Sequence, residues 1–404
     1  MNVNVYLEGE EIYTSITVVS VAPEQEQYIT VNYPEFRRDG EYVYRVTMNL
    51  AESTLWASKG YEIAFGEARI QRILNEEVAI ECKDSISEQE SIEVNDDRHG
   101  QVATEVAMKL KDQNVTKDRL RFVRGDGNIG FYLNDIAILF STTEGGIISL
   151  KKGSKEFVDR AAKPIYYRAT TDNDRGNNNG FLTSQWGLAS KYQKLTNFSV
   201  EQIEDSYQLN YTFVTPTNPS TTSQVTYTVN QDCSIQVKMH YYGQKGLPML
   251  PLYGMEFRMK SELECFSVYG LGPDENYIDR AAGAKLGRYH LRVADNLSRY
   301  VVPQECGNRT GVRSAQIYNE SGEGIEITMI KDAFELNVLH YSTADLENAL
   351  HIEDLPPIRN TFIRVAAKQM GVGGDDSWGA PVHPEYFISG EKDIEFEFKL
   401  SVIK

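Results

Sequence analysis

Cysteine is scarce in this chain. Cys82, Cys233, Cys265 and Cys306 are the only four in 404 residues. They form no CxxC pair and have no histidine at ligand spacing, which excludes a zinc ribbon and a disulfide framework. The six histidines make no HxH or HExxH pattern, so no metal signature is present. No phosphate-binding glycine loop and no GxSxG elbow occurs. No apolar run approaches the length of a membrane helix. Basic residues are outnumbered, 41 Lys+Arg against 58 Asp+Glu, giving a net charge of −17. That balance argues against nucleic acid and anionic membrane as partners. The N-terminal MNVNVYLEGEE has neither a basic start nor an apolar stretch, so no secretion signal is expected and a cytoplasmic location is.

Tyrosine, by contrast, is abundant at 24 residues, and β-branched residues are dense. Short alternating runs separated by turn signals predict an all-β protein. Residues 1–72 carry five strand-like runs: VNVYLEG, YTSITVVSVAP, QYITVNYPEF, EYVYRVTMNL and GYEIAFGEARI. An immunoglobulin-like sandwich needs about seven strands, so this is read as a partial one with an open edge. Residues 73–115 are acidic and weakly periodic and read as a connecting segment. Residues 116–404 read as one large β domain, with strands expected in LRFVRGDGNIGFYL, IAILFST, GGIISLKK, FSVEQIEDSYQLNYTFVTP, SQVTYTVNQD, CSIQVKMHYYG, MEFRMKS, IEITMIKD, FELNVLHYS and IEFEFKLSVIK. Short helices are expected only near Lys155–Ala162 and Thr183–Tyr192.

Four stretches could carry chemistry. QMGVGGDDSWG (Gln369–Gly379) combines glycines, paired carboxylates and one of only three tryptophans. Glycine tolerates positive φ and close backbone approach, so this reads as a sharply bent loop. It could hold Trp378 at a surface, where an indole face suits the apolar face of a sugar ring; spacing alone favours the other reading, a structural turn around a core tryptophan. Asp375 and Asp376 are adjacent, so on an extended segment they point to opposite faces. A retaining glycosidase needs two carboxyl groups about 5 Å apart, and this sequence offers no such pair. YYRATTDNDRG (Tyr166–Gly176) reads as a polar loop, held by Asx turns or facing carbohydrate with its carboxylate, amide and guanidinium groups. YGLGPDENYIDR (Tyr269–Arg280) and VPQECGNRTGVR (Val302–Arg313) read as loops, with Glu305 expected to pair with Arg309 or Arg313 as a brace.

Together these four stretches resemble the motifs of the C-terminal small-chain domain of large bacterial β-galactosidases of glycoside hydrolase family 2. RATTDNDRG is similar to RAPTDNDRG, YGLGPDENYIDR to GLGPxENYPDR, PQECGNRTGVR to PQExGNRTDVR, and QMGVGGDDSWG nearly matches its counterpart. ASKGYEIAFGEARI resembles the end of the family's fourth domain. Thr170 and Ile278 stand where the family has Pro, Gly311 replaces an acidic residue, Ala366 stands where many relatives have Asp, and Cys306 is unusual.

The resemblance implies a galactose-mutarotase-like supersandwich over residues 116–404. It implies that Trp378 stacks on substrate in the aglycone subsite, on a loop shaped by Gly373, Gly374, Asp375, Asp376 and Ser377. It implies a mobile loop beginning at Asp172, Asn173, Asp174, Arg175 and Gly176, with a gating role over Arg175–Gly180. It places no catalytic residue and no metal ligand in this chain. The two catalytic glutamates, Mg and Na are expected on a TIM barrel absent here. The implied partners are a β-galactoside such as lactose, a barrel-bearing large subunit or N-terminal part of the same enzyme, and further copies in an oligomer. The isolated chain is expected to be inactive. The other reading is a non-catalytic carbohydrate-binding protein.

Overall fold

The computed structural model describes residues 1–31, 33–73, 119–376 and 378–403. The segment expected to connect the two β regions lies mostly outside them, as does Ser377.

Four antiparallel strands open the chain: β1 (Asn2–Leu7), β2 (Glu10–Ile16), β3 (Gly40–Asn49) and β4 (Glu62–Arg72), in spatial order β2-β1-β3-β4. The expected strand over QYITVNYPEF is not formed by its described residues. Pro34 cannot donate to a ladder, and the aromatic side chains serve as cover instead. Tyr33 packs on Tyr44 with ring centroids 5.0 Å apart, and Phe36 stacks on Tyr42 at 5.8 Å.

The rest builds three more sheets. β5 (Arg121–Arg124), β6 (Asn128–Leu133), β7 (Ile136–Ser141), β8 (Ile147–Lys152) and β9 (Lys155–Glu156) form a meander. After β10 (Val158–Ile165) come three short helices, α1 (Asp172–Gly176), α2 (Asn179–Leu182) and α3 (Ser184–Tyr192). Then follow β11 (Lys194–Ile203), β12 (Ser206–Val214), β13 (Thr222–Val229), β14 (Ile235–Tyr241), β15 (Leu252–Lys260), β16 (Cys265–Gly272) and β17 (Lys285–Arg292). The chain ends with β18 (Asn308–Val312), β19 (Ser314–Tyr318), β20 (Gly324–Met329), β21 (Phe334–Leu339), α4 (Thr343–Asn348), β22 (Asn360–Gln369) and β23 (Ile394–Val402). One sheet has nine strands, β11-β12-β13-β14-β23-β20-β19-β16-β17, and another five, β10-β15-β22-β21-β18.

The all-β expectation holds. Apolar side chains from both large sheets meet in one core: Met255, Phe257, Ile363 and Val365 from the five-stranded sheet, Val237, Met239, Phe396 and Ile327 from the nine-stranded one. Phe257 meets Phe398 edge-on across the gap, centroids 6.2 Å apart. The meander packs on the same core through Phe140, whose ring lies 5.2 Å from Tyr227. Alternation produces this directly, since TSQVTYTV of β13 buries every second residue.

Two expectations need correction. The helix expected near Lys155–Ala162 is instead β9 and β10. β10 pairs with β15 through two register shifts, so its alternation is broken and its pattern reads poorly. Tyr269–Gly272 and Asn308–Val312 belong to strands β16 and β18 rather than loops.

The N-terminal sheet is fastened to the end of the nine-stranded one. Arg313 makes a two-pronged contact with Glu41, at 2.7 and 3.0 Å, and the Tyr269 hydroxyl donates to the same carboxylate at 2.7 Å. Val43 packs with Tyr269 and Leu286. Lys285 pairs with Glu62 at 2.6 Å, and Arg45 donates to the Leu286 carbonyl at 2.8 Å. Burial alone would raise the Glu41 carboxyl, but bonds from Arg313 and Tyr269 outweigh it and hold it below the ordinary range.

Candidate functional site

The four polar stretches, spread over more than two hundred positions, close into one hydrogen-bonded block. Arg168 is its post. Buried at the end of the segment after β10, it donates to the Met370 carbonyl at 2.7 Å, the Gly371 carbonyl at 2.8 Å and Asp174 at 3.1 Å. Residues 370 and 371 are where the tryptophan loop leaves β22. Asp279 holds the next part: its Oδ2 accepts from the backbone of Val372 and of Gly373, each at 2.8 Å. Asp376 then folds the tip, accepting from Trp378 N at 2.8 Å and Ala380 N at 3.1 Å.

Close approach, not positive φ, explains Gly371 and Gly374 at the loop's start; Gly373 is not crowded. Only Gly379 of this stretch has φ in the left-handed half, at 114°. A Cβ on Gly374 would lie 2.1 Å from the Ala380 carbonyl oxygen, and one on Gly379 2.6 Å from the Gly176 carbonyl carbon. The loop therefore seats directly on α1. Trp378, so presented, is 88% exposed. It is not a core tryptophan. Trp186 plays that part, fully buried, with its indole N–H donating to the Met249 carbonyl at 3.0 Å.

Asp172–Gly176 is a short helix rather than a loop. Thr171 and Asp174 form a reciprocal capping box, and Asp174 is buried against Arg168. Asp172 is bound at its backbone and side chain by Gln304, and Arg175 reaches the Pro303 carbonyl at 3.3 Å. Asn173 donates to the Asp376 carbonyl at 3.4 Å, so α1 touches the tryptophan loop at a second point.

Glu305 is buried, but its partner is neither Arg309 nor Arg313. It pairs with Arg364 on β22 at 2.7 Å and accepts from Asn337 at 3.2 Å. Arg309 donates only to backbone carbonyls, those of Pro273, Gly307 and Asn308. Arg313 is committed to Glu41. Glu275 ties the second stretch to the third, accepting from Gly307 N, Tyr300, Ser298 and Arg280. Burial pushes its carboxyl up, but those four donors prevail and hold it down. Cys306 is buried beside Ala169, Leu339 and Leu346, and burial pushes its thiol up to about 12, which makes it an inert packing group.

Beneath the loop, on β21, Glu335 is buried and accepts from Asn308 at 2.8 Å and from Gln369 N at 3.2 Å. Burial raises its carboxyl to about 7 despite those donors. Asp375 lies outside the block and pairs with His383 at 2.7 Å, which raises the imidazole's pKa. No group of three or more His, Cys, Asp or Glu able to hold a metal occurs among the described residues. No helix there is long and apolar enough to cross a membrane.

The block borders an open pocket of about 370 Å³, lined by residues 171–173, Tyr277, Asp279, Arg280, Tyr300, Gln304, Glu305 and the loop base. A larger hollow of about 760 Å³ lies away from it, bounded by Lys163, Glu256, Arg258, His340 and Arg359.

Residues 133–400 match the family model described as beta galactosidase small chain, which is well over half of the chain. The chain belongs to that family. Residues 1–71 match the model of β-galactosidase domain 4. Among curated relatives, the β-galactosidase of Halalkalibacterium halodurans is 36% identical over 401 residues, covering 98% of this chain and 36% of that protein. That of Streptococcus thermophilus is 33% identical over 396 residues, covering 98% and 35%. The β-galactosidase small subunit of Latilactobacillus sakei is 33% identical over 316 residues, covering 71% of this chain and 99% of the subunit. The chain spans about a third of the length of the first two. A galactose mutarotase related enzyme from Lactobacillus acidophilus overlays 70% of this small-chain protein and 97% of itself, at 10% identity and a TM-score of 0.38.

Of the residues expected to matter, Trp378, Gly373, Gly374, Asp376 and the α1 residues therefore meet in one place, and Asp375 stands beside it. Arg168, Asp279, Gln304 and Glu335, which hold the block together, were not singled out by role. Arg168, Asp279 and Gln304 lie within the four stretches and Glu335 lies outside them on β21, and only the fold shows what each one grips.

Proposed function

We propose that this small chain is the C-terminal part of a β-galactosidase that cleaves β-galactosides such as lactose, and that it completes a substrate site built mainly elsewhere. The observation that carries this is Trp378: a large apolar plate, almost fully exposed, on a loop fixed at its base by Arg168 and Asp279. An exposed indole on a pre-set loop binds a sugar ring with little ordering cost. Its place is the aglycone subsite. The Asp172–Gly180 region lines the same mouth, where α2 carries exposed Phe181 and Leu182, and any gating there is a movement of α2 against a fixed α1.

Hydrolysis is by two glutamates on a partner barrel, with double displacement through a galactosyl-enzyme. Mg and Na belong to that barrel. The N-terminal sheet supplies the assembly surface: it is a single four-stranded layer exposing Ile16, Ile63 and Ile70, with Val18 and Trp56 exposed on its connecting segments. A sandwich needs a second layer, and the barrel-bearing partner, as separate subunit or as the preceding part of one polypeptide, contributes it.

The test is mixing the chain with that partner and following lactose cleavage. Activity on mixing supports the reading. A complex without activity, or sugar binding by the chain with no effect of any partner, favours a carbohydrate-binding protein.

A further inference from the structure

The tryptophan loop leaves β22 through a run of residues, 369–373, whose backbone is gripped by charged side chains. Glu335 Oε1 accepts from Gln369 N at 3.2 Å. Arg168 donates to the carbonyls of Met370 and Gly371 at 2.7 and 2.8 Å. Asp279 Oδ2 accepts from Val372 N and Gly373 N, each at 2.8 Å. Arg168 and Asp279 hold the loop itself, and Glu335 holds its root.

The sheet explains why a side chain acts there. The ladder between β21 and β22 runs from Leu339 opposite Phe362 to Glu335 opposite Ala366 and stops. β22 continues to Gln369, which pairs on its other side with Leu252 of β15. Met370 N turns to that side and meets the Pro251 carbonyl at 2.9 Å. Amides alternate in direction along a strand, so Gln369 N points toward β21, past the end of its ladder. The Glu335 carboxylate takes the place of the missing ladder acceptor. Its Oε2 accepts from Asn308 of β18 at 2.8 Å, so the root is tied to that strand as well.

We propose that Glu335 is a positioning residue: its ionised carboxylate fixes the root of the tryptophan loop, so its charge sets how firmly Trp378 is presented to substrate. The substrate half of this rests on Trp378 being the sugar platform. Both carboxylate oxygens accept from N–H groups. A charged acceptor holds an N–H roughly twice as strongly as a neutral one, and a proton turns one of the two oxygens into a donor. Of the charges facing Glu335, Arg168 favours ionisation, and Glu305, paired with Arg364 of β22, opposes it. Burial outweighs the rest and raises the carboxyl to about 7. The grip is therefore firm above that pH and slack below it.

Hydrogen exchange on the full chain tests this without any ligand. Protection factors, which remove the intrinsic pH dependence of exchange, are measured for the amides of residues 369–373 at about pH 5.5 and about pH 8. Gln369 should be about fivefold more protected at the higher pH in the unaltered chain, and equally weakly protected at both in Glu335→Gln. A buried acid with a structural role alone gives the opposite sign, because its raised carboxyl makes stability fall as pH rises through about 7. Gln369 protection that is unchanged or lower at the higher pH would overturn the inference. The unaltered chain decides this even where the variant does not fold. With a barrel-bearing partner present, Glu335→Gln should raise KM for lactose about fivefold at about pH 8 and leave it unchanged at about pH 5.5, with the same kcat profile. The exchange contrast without the KM contrast would support the clamp and count against Trp378 as the sugar platform.

Discussion

Replacing Glu335 by Gln should remove part of the chain's pH dependence. Glu335 is 7% exposed, and its carboxyl is raised from 4.5 to about 7, chiefly by burial. Asn308 and Gln369 N donate to it, Arg168 favours its charge, and Glu305 opposes it. The folded pKa lies above the unfolded one, so between about pH 4.5 and 7 folding takes up a proton, and stability falls as pH rises. At about 1.4 kcal/mol per pKa unit, the full cost above pH 7 is about 3 kcal/mol. Glutamine mimics the protonated acid and does not titrate. Urea unfolding of both proteins at about pH 5.5 and about pH 8 then isolates the group, because other titrations cancel in the difference. The variant's advantage should grow by about 2 kcal/mol between the two pH values, the portion falling between 5.5 and 7. A difference that stays constant, or shrinks toward alkaline pH, refutes the buried-acid account.

Other outcomes follow from the same contacts. Trp378→Ala should change folding stability by less than about 0.5 kcal/mol, because the ring is exposed, while raising KM for lactose in the assembled enzyme. Arg168→Ala leaves Asp174 buried without its cation and frees two carbonyls, so a loss of about 3–5 kcal/mol is expected in urea unfolding. His383 should titrate above its ordinary value because Asp375 holds its proton, and Asp375→Asn should bring it down, as followed by NMR. That ion pair is present below the ordinary imidazole pKa and is lost as pH rises through the raised one.

The regular strands were legible in sequence wherever one face is buried and alternation is clean, as in β12, β13 and β14. β22 was not, because it is buried on both faces and NTFIRVAAKQ shows no alternation. α1 was readable in principle: Thr171 followed three positions later by Asp174 is a capping signature, obscured by the density of turn-forming residues around it. Side-chain partners were the least legible. Glu305 has Arg309 four residues away in sequence, yet Asn337 of β21 faces both Asn308 at the start of β18 and Arg364 of β22, which brings Arg364 to Glu305 instead. The exposed tryptophan and its glycines were visible as a motif, but the reason for the glycines, contact with Gly176 and Ala380 backbone, exists only in the fold.

The central claim is that this chain completes a site whose catalytic groups lie on a partner. The most direct measurement is lactose hydrolysis by the purified chain, by a purified barrel-bearing large subunit, and by the two mixed, with complex formation followed by light scattering. The account predicts cleavage only in the mixture, rising with complex formed and diminished by Trp378→Ala. Cleavage by the chain alone, or an inactive complex of the two, would contradict it.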